Sequence, residues 1–179
     1  MGIATGKLAV WWVLVSEIVI FGGLLASYIM NRIAHVEWGA QAAHTNTWAG
    51  AFNTLVLLTS SLSAVYAHRA AEGGDGRRAA KFLRLTVLGG AVFLVVKSFE
   101  WRHEILEGFV IQSGGFWGYY YTAAGLHAFH VIAGMAVMLW VAASAERNED
   151  LHRVENVGLY WHFVDIVWIF LFPLLYIAK

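Results

Sequence analysis

The order of apolar and polar residues divides the chain into five long apolar runs separated by short polar connections. A helix needs about 20 apolar residues to cross a bilayer core. Runs over 8–31, 48–70, 80–105, 117–143 and 156–178 meet that length. EGGDGRR, with its glycines and opposed charges, marks a turn between the second and third runs. ERNEDLHRVEN is wholly polar and separates the last two. The single proline, Pro173, falls near the end of the fifth run, where a local kink is tolerated. The pattern predicts an all-α membrane protein, a bundle of five transmembrane helices formed as one domain over 1–179. The first run exceeds the apolar core of a signal peptide, contains Glu17 and lacks a small-residue cleavage site, so it reads as a retained span.

Composition agrees with this reading and narrows the chemistry. The 179 residues are 59% hydrophobic and 13% charged, too apolar for a soluble fold of this size. The formal net charge is zero, which gives no footprint for nucleic acid. The absence of cysteine excludes disulfides, iron–sulfur clusters, covalent c-type haem and thiolate copper sites. The cationic residues set an orientation. With the N-terminus inside, Lys7, Arg69, Arg77, Arg78, Lys81, Arg84, Arg147 and Arg153 lie on the inner side, and Arg32, Lys97, Arg102 and Lys179 on the outer. That bias predicts an inner N-terminus and an outer C-terminus.

Ionisable groups at membrane depth are costly and mark candidate function. They are Glu17 in the first span, His127 and His130 in the fourth, and His162 and Asp165 in the fifth. At about 1.5 Å rise per residue, Glu17 lies about 14 Å from the inner face, and His162 and Asp165 about 9 and 14 Å. His127 and His130 fall about 15 and 10 Å from that face in a core about 30 Å thick. The five groups therefore share one level, and a polar layer of interhelical hydrogen bonds is expected there if the helix faces meet. Lys97 and Glu100, three apart near the outer end of the third span, form an outer polar pair at the interface. Thr54, Thr59, Ser60, Ser61 and Ser63 can bond between helices, and Gly125, Ala128, Ala133, Gly134 and Ala136 allow close approach. Trp11, Trp12, Trp117, Tyr119, Tyr120, Tyr121, Tyr160 and Trp161 cluster at span ends as an interfacial aromatic belt.

Cofactor chemistry finds little support in the spacing. His127 and His130 project from one side of a helix and cannot be opposite ligands of one haem; a bis-His haem would need His162 as the second ligand. EWRH at Glu100 and EDLH at Glu149 have the Glu-x-x-His form of a di-iron site. The first falls at the outer end of the third span and the second in the inner loop after the fourth, about a bilayer thickness apart, so they cannot share one centre. Glu17 as a proton carrier lacks the paired acids or broken helices of a transporter.

Five blocks resemble subunit III of the haem–copper oxidases, the cytochrome c oxidase subunit III family. They are SEIVIFGGLLASY from Ser16, NTLVLLTSS from Asn53, FEWRH from Phe99, GLHAFHVIAG from Gly125 and YWHFVDIVWIFLF from Tyr160. They follow the family's order and touch every span. The resemblance implies a five-helix bacterial type of subunit III, multi-pass in the prokaryotic cytoplasmic (inner) membrane. It implies an accessory role beside catalytic subunit I, the main contact, with subunits II and IV and membrane lipids as further partners. It implies no haem, copper or other metal bound by this chain, those centres belonging to partner subunits, and a bound phospholipid. The supporting role it implies is stability and sustained proton uptake by subunit I in a proton-pumping cytochrome c or quinol oxidase of aerobic respiration. The family's buried membrane carboxylate falls on Glu17. Many members have two further N-terminal helices that wall a lipid cleft, and this chain begins at the equivalent of the third. The alternatives are the subunit III-like protein associated with nitric oxide reductase and a haem b electron-transfer module.

Overall fold

The computed structural model describes residues 5–179. Five long helices cross back and forth: α1 (Thr5–Ala34), α3 (Thr47–Glu72), α4 (Gly76–Leu106), α5 (Gly115–Ala145) and α6 (His152–Phe172). A short α2 (Trp38–Ala42) lies between α1 and α3, and α6 runs into a π-helical turn over Pro173–Ile177. All five long helices have the length and composition to cross a membrane. The described residues contain helices and no strand. The first four long helices extend past the apolar runs that predict them, because polar end turns continue the helix, whereas α6 starts before its run but gives way at Pro173 to the π turn.

Local chemistry sets the ends. Asn46 accepts from the amide of Ala49 at 3.1 Å and caps α3, and Asp75 accepts from Arg78 at 2.9 Å and caps α4. Gly74, with φ +77°, supplies the left-handed step between these helices that a side chain would resist.

Helices α3, α4, α5 and α6 form an antiparallel four-helix bundle in which each helix touches two neighbours. Helix α1 lies outside, against α5 and α6. Its buried seam is Leu14, Phe21 and Tyr28, spaced by seven residues, while Trp12, Val19, Met30 and Ile33 face outward. The bundle core is aromatic and alanine-rich: Trp117, Tyr120, Trp161, Trp168, Tyr176 and Phe93 are all buried. Trp11 and Trp12 suit an interfacial belt, being 53% and 69% exposed. Trp117, Tyr120 and Trp161 do not, since they point inward and fill the core. Position along a helix places a residue near an interface; its angle around the helix decides whether it reaches one.

The hydroxyls of α3 face several ways. Thr54 accepts from the Trp168 indole and Ser60 from the Trp161 indole, each at 3.0 Å. Ser63 meets Thr86 of α4 at 2.6 Å. Thr59 is exposed and bonds the Leu55 carbonyl of its own helix at 2.8 Å, so it joins no pair of helices. Close approach occurs on several helices: a Cβ at Gly89 would sit 2.5 Å from Ser60 Cβ, one at Gly90 2.7 Å from the Trp161 ring, one at Gly50 2.8 Å from the Phe172 ring and one at Gly134 3.1 Å from the Tyr160 ring, whereas Gly125 has nothing within 4 Å.

Pro173 ends the regular hydrogen bonding of α6, and the widened turn beyond it needs external donors. Tyr28 donates to Leu174 O at 3.0 Å and Thr47 to Tyr176 O at 3.1 Å, while Thr45, whose hydroxyl hydrogen goes to Ala42 O at 2.8 Å, lies 3.4 Å from Leu175 O. The last turn is therefore held by α1 and by the segment leading into α3, and it swings Tyr176 into the bundle interior.

Candidate functional site

The membrane-depth groups separate into four environments. Glu17 of α1 faces His130 of α5, with Oε2 3.0 Å from Nε2. His130 Nδ1 lies 2.7 Å from the carbonyl of Leu126. A carbonyl only accepts, so Nδ1 carries a hydrogen. Nε2 faces Glu17, whose Oε2 has no hydrogen bond of full geometry among the described residues. Phe21 packs its edge 5.3 Å from the His130 ring and screens the pair from one side. Tyr160 of α6 donates to the His130 carbonyl at 3.3 Å, so three helices meet at this residue.

His162 of α6 meets Ser61 of α3, Nδ1 to Oγ, at 2.5 Å on the other side of the bundle. His127 is fully buried and neither ring nitrogen has a hydrogen-bond partner among the described residues. Its ring lies tilted beside Trp168, centres 5.2 Å apart, and meets Phe93 edge-on with centres 5.3 Å apart. Asp165 is buried, and neither carboxyl oxygen has a hydrogen-bond partner among the described residues. The shared level does not become one connected layer. Three residues along a helix is a rotation of about 60°, enough to turn His130 to α1 while His127 enters the aromatic core.

A second cluster lies on the side of the bundle where α1 and the chain end. Lys97 and Glu100 pair at 3.1 Å as their spacing predicts, but Lys97 is 1% exposed and Glu100 7%, so the pair is inside the bundle rather than at its surface. Lys97 Nζ also donates to Tyr120 Oη at 2.8 Å and to Tyr176 Oη. Tyr120 donates to Glu104 at 2.8 Å or to Glu100 at 3.1 Å. The ammonium lies 4.6 Å from the Tyr120 ring centre and 5.0 Å from that of Tyr176. Glu104, Tyr120 and Tyr176 escape a sequence reading that stops at the i, i+3 pair. The signal for Glu104 is the 97–100–104 spacing, which keeps all three on one helix face. Tyr176 carried no such signal, because the π turn decides where it points.

The Glu-x-x-His pairs lie on opposite sides of the bundle, Glu100–His103 at the end of α4 and Glu149–His152 at the start of α6. Among the described residues no three His, Asp or Glu side chains gather closely enough to hold a metal ion. His130 and His162 are each engaged by a side chain of another helix, and ligation of a haem by both would cost both contacts.

A model of the cytochrome c oxidase subunit III family matches residues 2–179. The chain belongs to that family. It is 35% identical over 170 residues to cytochrome c oxidase subunit 3 of Corynebacterium diphtheriae, covering 91% of this chain and 83% of the relative. The subunit of Thermostichus vulcanus is 33% identical over 169 residues, 92% of this chain and 83% of its own. That of Bacillus subtilis is 31% identical over 178 residues, 95% and 84%. Five helices able to span a membrane and relatives that are bacterial oxidase subunits make this a multi-pass membrane protein, a haem–copper oxidase subunit III.

Proposed function

We propose that the chain is an accessory subunit of a proton-pumping terminal oxidase in aerobic respiration, placed beside catalytic subunit I with subunits II and IV nearby. Its part is to stabilise subunit I and sustain proton uptake by it, with haem and copper held in the partner chains. One observation carries the reading beyond the family name. Glu17 and His130 tie the outlying α1 to the bundle at membrane depth, where an isolated ionisable group would be costly. That arrangement supports a structural duty for the carboxyl. The comparisons name oxidase subunits and favour that assembly over a nitric oxide reductase.

The proposed orientation in the cytoplasmic membrane keeps the N-terminus and the Arg- and Lys-rich loops inside. A groove of about 410 Å³ between α1, α5 and α6 supports phospholipid binding. Val10, Val13 and Val137 offer an apolar wall for an acyl chain, and Arg153, 4.8 Å over the Trp140 ring and paired with Asp150 at 3.0 Å, stands at its polar end. In this five-helix chain the groove's outer wall is a lipid or a partner helix. The test is Glu17→Leu in the assembled oxidase, followed for subunit content and for loss of activity during turnover. The proposal expects faster inactivation or loss of this subunit. Unchanged content together with an unchanged activity lifetime would overturn the role given to Glu17.

A further inference from the structure

The buried cluster on α4 contains more acid than base. Lys97 is the one cation bonded within it among the described residues, and Glu100 and Glu104 are its two carboxyl groups. All three are buried, with exposures of 1%, 7% and 2%. An ammonium has three hydrogens to give. Those of Lys97 go to Glu100 Oε2, Tyr120 Oη and Tyr176 Oη, and none reaches Glu104. The remaining donors are hydroxyls. Tyr120 has one hydrogen for two carboxyls, at 2.8 and 3.1 Å. Tyr121 sits 2.7 Å from the Phe109 carbonyl and 3.5 Å from Glu104, so its hydrogen goes to the backbone. Tyr176 lies 3.2 Å from Tyr120 Oη and completes the ring of groups.

With both carboxyls ionised the cluster would carry one uncompensated negative charge among buried side chains, which is unfavourable. One proton on the carboxyl pair removes it. The cluster also has a way out. A cleft of about 280 Å³ is lined by Glu100, Glu104, His44, Asn46, Ala49 and His103, among others. His44 and His103 are exposed at its mouth, and His103 contacts Glu107 at 3.2 Å. Imidazoles both accept and release protons.

We propose that Glu104 is a proton-binding site. It holds one proton in the resting state and exchanges it with water through the cleft bounded by His44 and His103. Lys97 and Glu100 set the charge balance, and Tyr120 relays the hydrogen bond between the two carboxyls as the proton moves. In the orientation proposed above, this site opens opposite the Arg- and Lys-rich loops. It does not depend on the role given to Glu17, which lies in a separate contact.

The experiment is infrared spectroscopy of the purified oxidase, reading the carbonyl stretch of protonated carboxyl groups and its shift on transfer to deuterated buffer. Wild type is compared with Glu104→Gln, Lys97→Met and Ala49→Leu. Glu104→Gln should lose the band of one protonated carboxyl per chain and assemble normally, because the amide is neutral like the protonated acid. Lys97→Met should gain intensity, as the second carboxyl then takes up a proton. Ala49→Leu narrows the cleft and should slow the deuterium shift severalfold. An unchanged band in Glu104→Gln, or failure of that variant to assemble, would overturn the site. A shift in Ala49→Leu as fast as in wild type would overturn the route.

Discussion

At the scale of single residues, partners outweigh depth. His127 and His130 are three positions apart, yet one is packed between aromatic rings and the other faces the Glu17 carboxyl at 3.0 Å. The contacts predict opposite responses to substitution. Glu17→Leu leaves His130 Nε2 facing apolar surface and should lower stability by about 1–3 kcal/mol, the usual cost of an orphaned buried polar group. Glu17→Gln should retain most of it, because an amide can still donate to Nε2. Thermal unfolding of the purified subunit complex, followed by loss of α1 protection from protease, measures both. Ser61→Ala removes the partner of His162 on the far side of the bundle. Its cost should add to that of Glu17→Leu, since the two contacts share no residue. A double variant that departs from additivity would show that the two polar contacts are coupled.

At the scale of elements, two features carry the geometry. The first is the glycine pair on α4. A side chain at Gly90 meets the Trp161 ring, and overpacking of this kind costs about 1–3 kcal/mol. Gly90→Leu should therefore fall at the upper end of that range and weaken the cluster beyond it, whereas Gly125→Leu, with nothing within 4 Å, should be tolerated. Melting temperatures of the two variants provide the comparison. The second feature is the π turn after Pro173. Tyr28 and Thr47 satisfy two of its carbonyls, so Tyr28→Phe with Thr47→Val should cost about 1 kcal/mol for each lost bond. The same double variant should release Tyr176 from Lys97. Digestion of the C-terminus by carboxypeptidase should begin sooner than in wild type; unchanged digestion would show that the turn holds without these donors.

At the scale of the whole molecule, α1 is the weakly held element. The four-helix bundle is closed on itself, while α1 touches it along one seam and leaves Trp12, Val19, Met30 and Ile33 outward. Its outward face must meet lipid or another subunit. The chain has no cysteine, so single cysteines placed at Asp75 and at Ser113 report the two sides without background. Labelling of intact cells with a membrane-impermeant maleimide should modify the Ser113 variant and spare the Asp75 variant. The reverse pattern would overturn the proposed orientation.

Much of this architecture is written in the sequence by itself. Length and apolar continuity determine five spans, because a backbone in lipid must satisfy its own hydrogen bonds and a helix does so locally. The five family blocks determine subunit III membership. Depth follows from a constant rise per residue, which is why Glu17, His127, His130, His162 and Asp165 could be set at one level before their contacts were known. The tertiary structure alone decided which of them meet. Angle around each helix and the choice of neighbour separate Glu17–His130 from Ser61–His162 and leave His127 among rings. It also turned Lys97 and Glu100 from a surface pair into the interior and brought Tyr120 and Tyr176 to them. The physical reason is that rise along a helix is a local property, whereas rotation toward a neighbour depends on how every other helix packs.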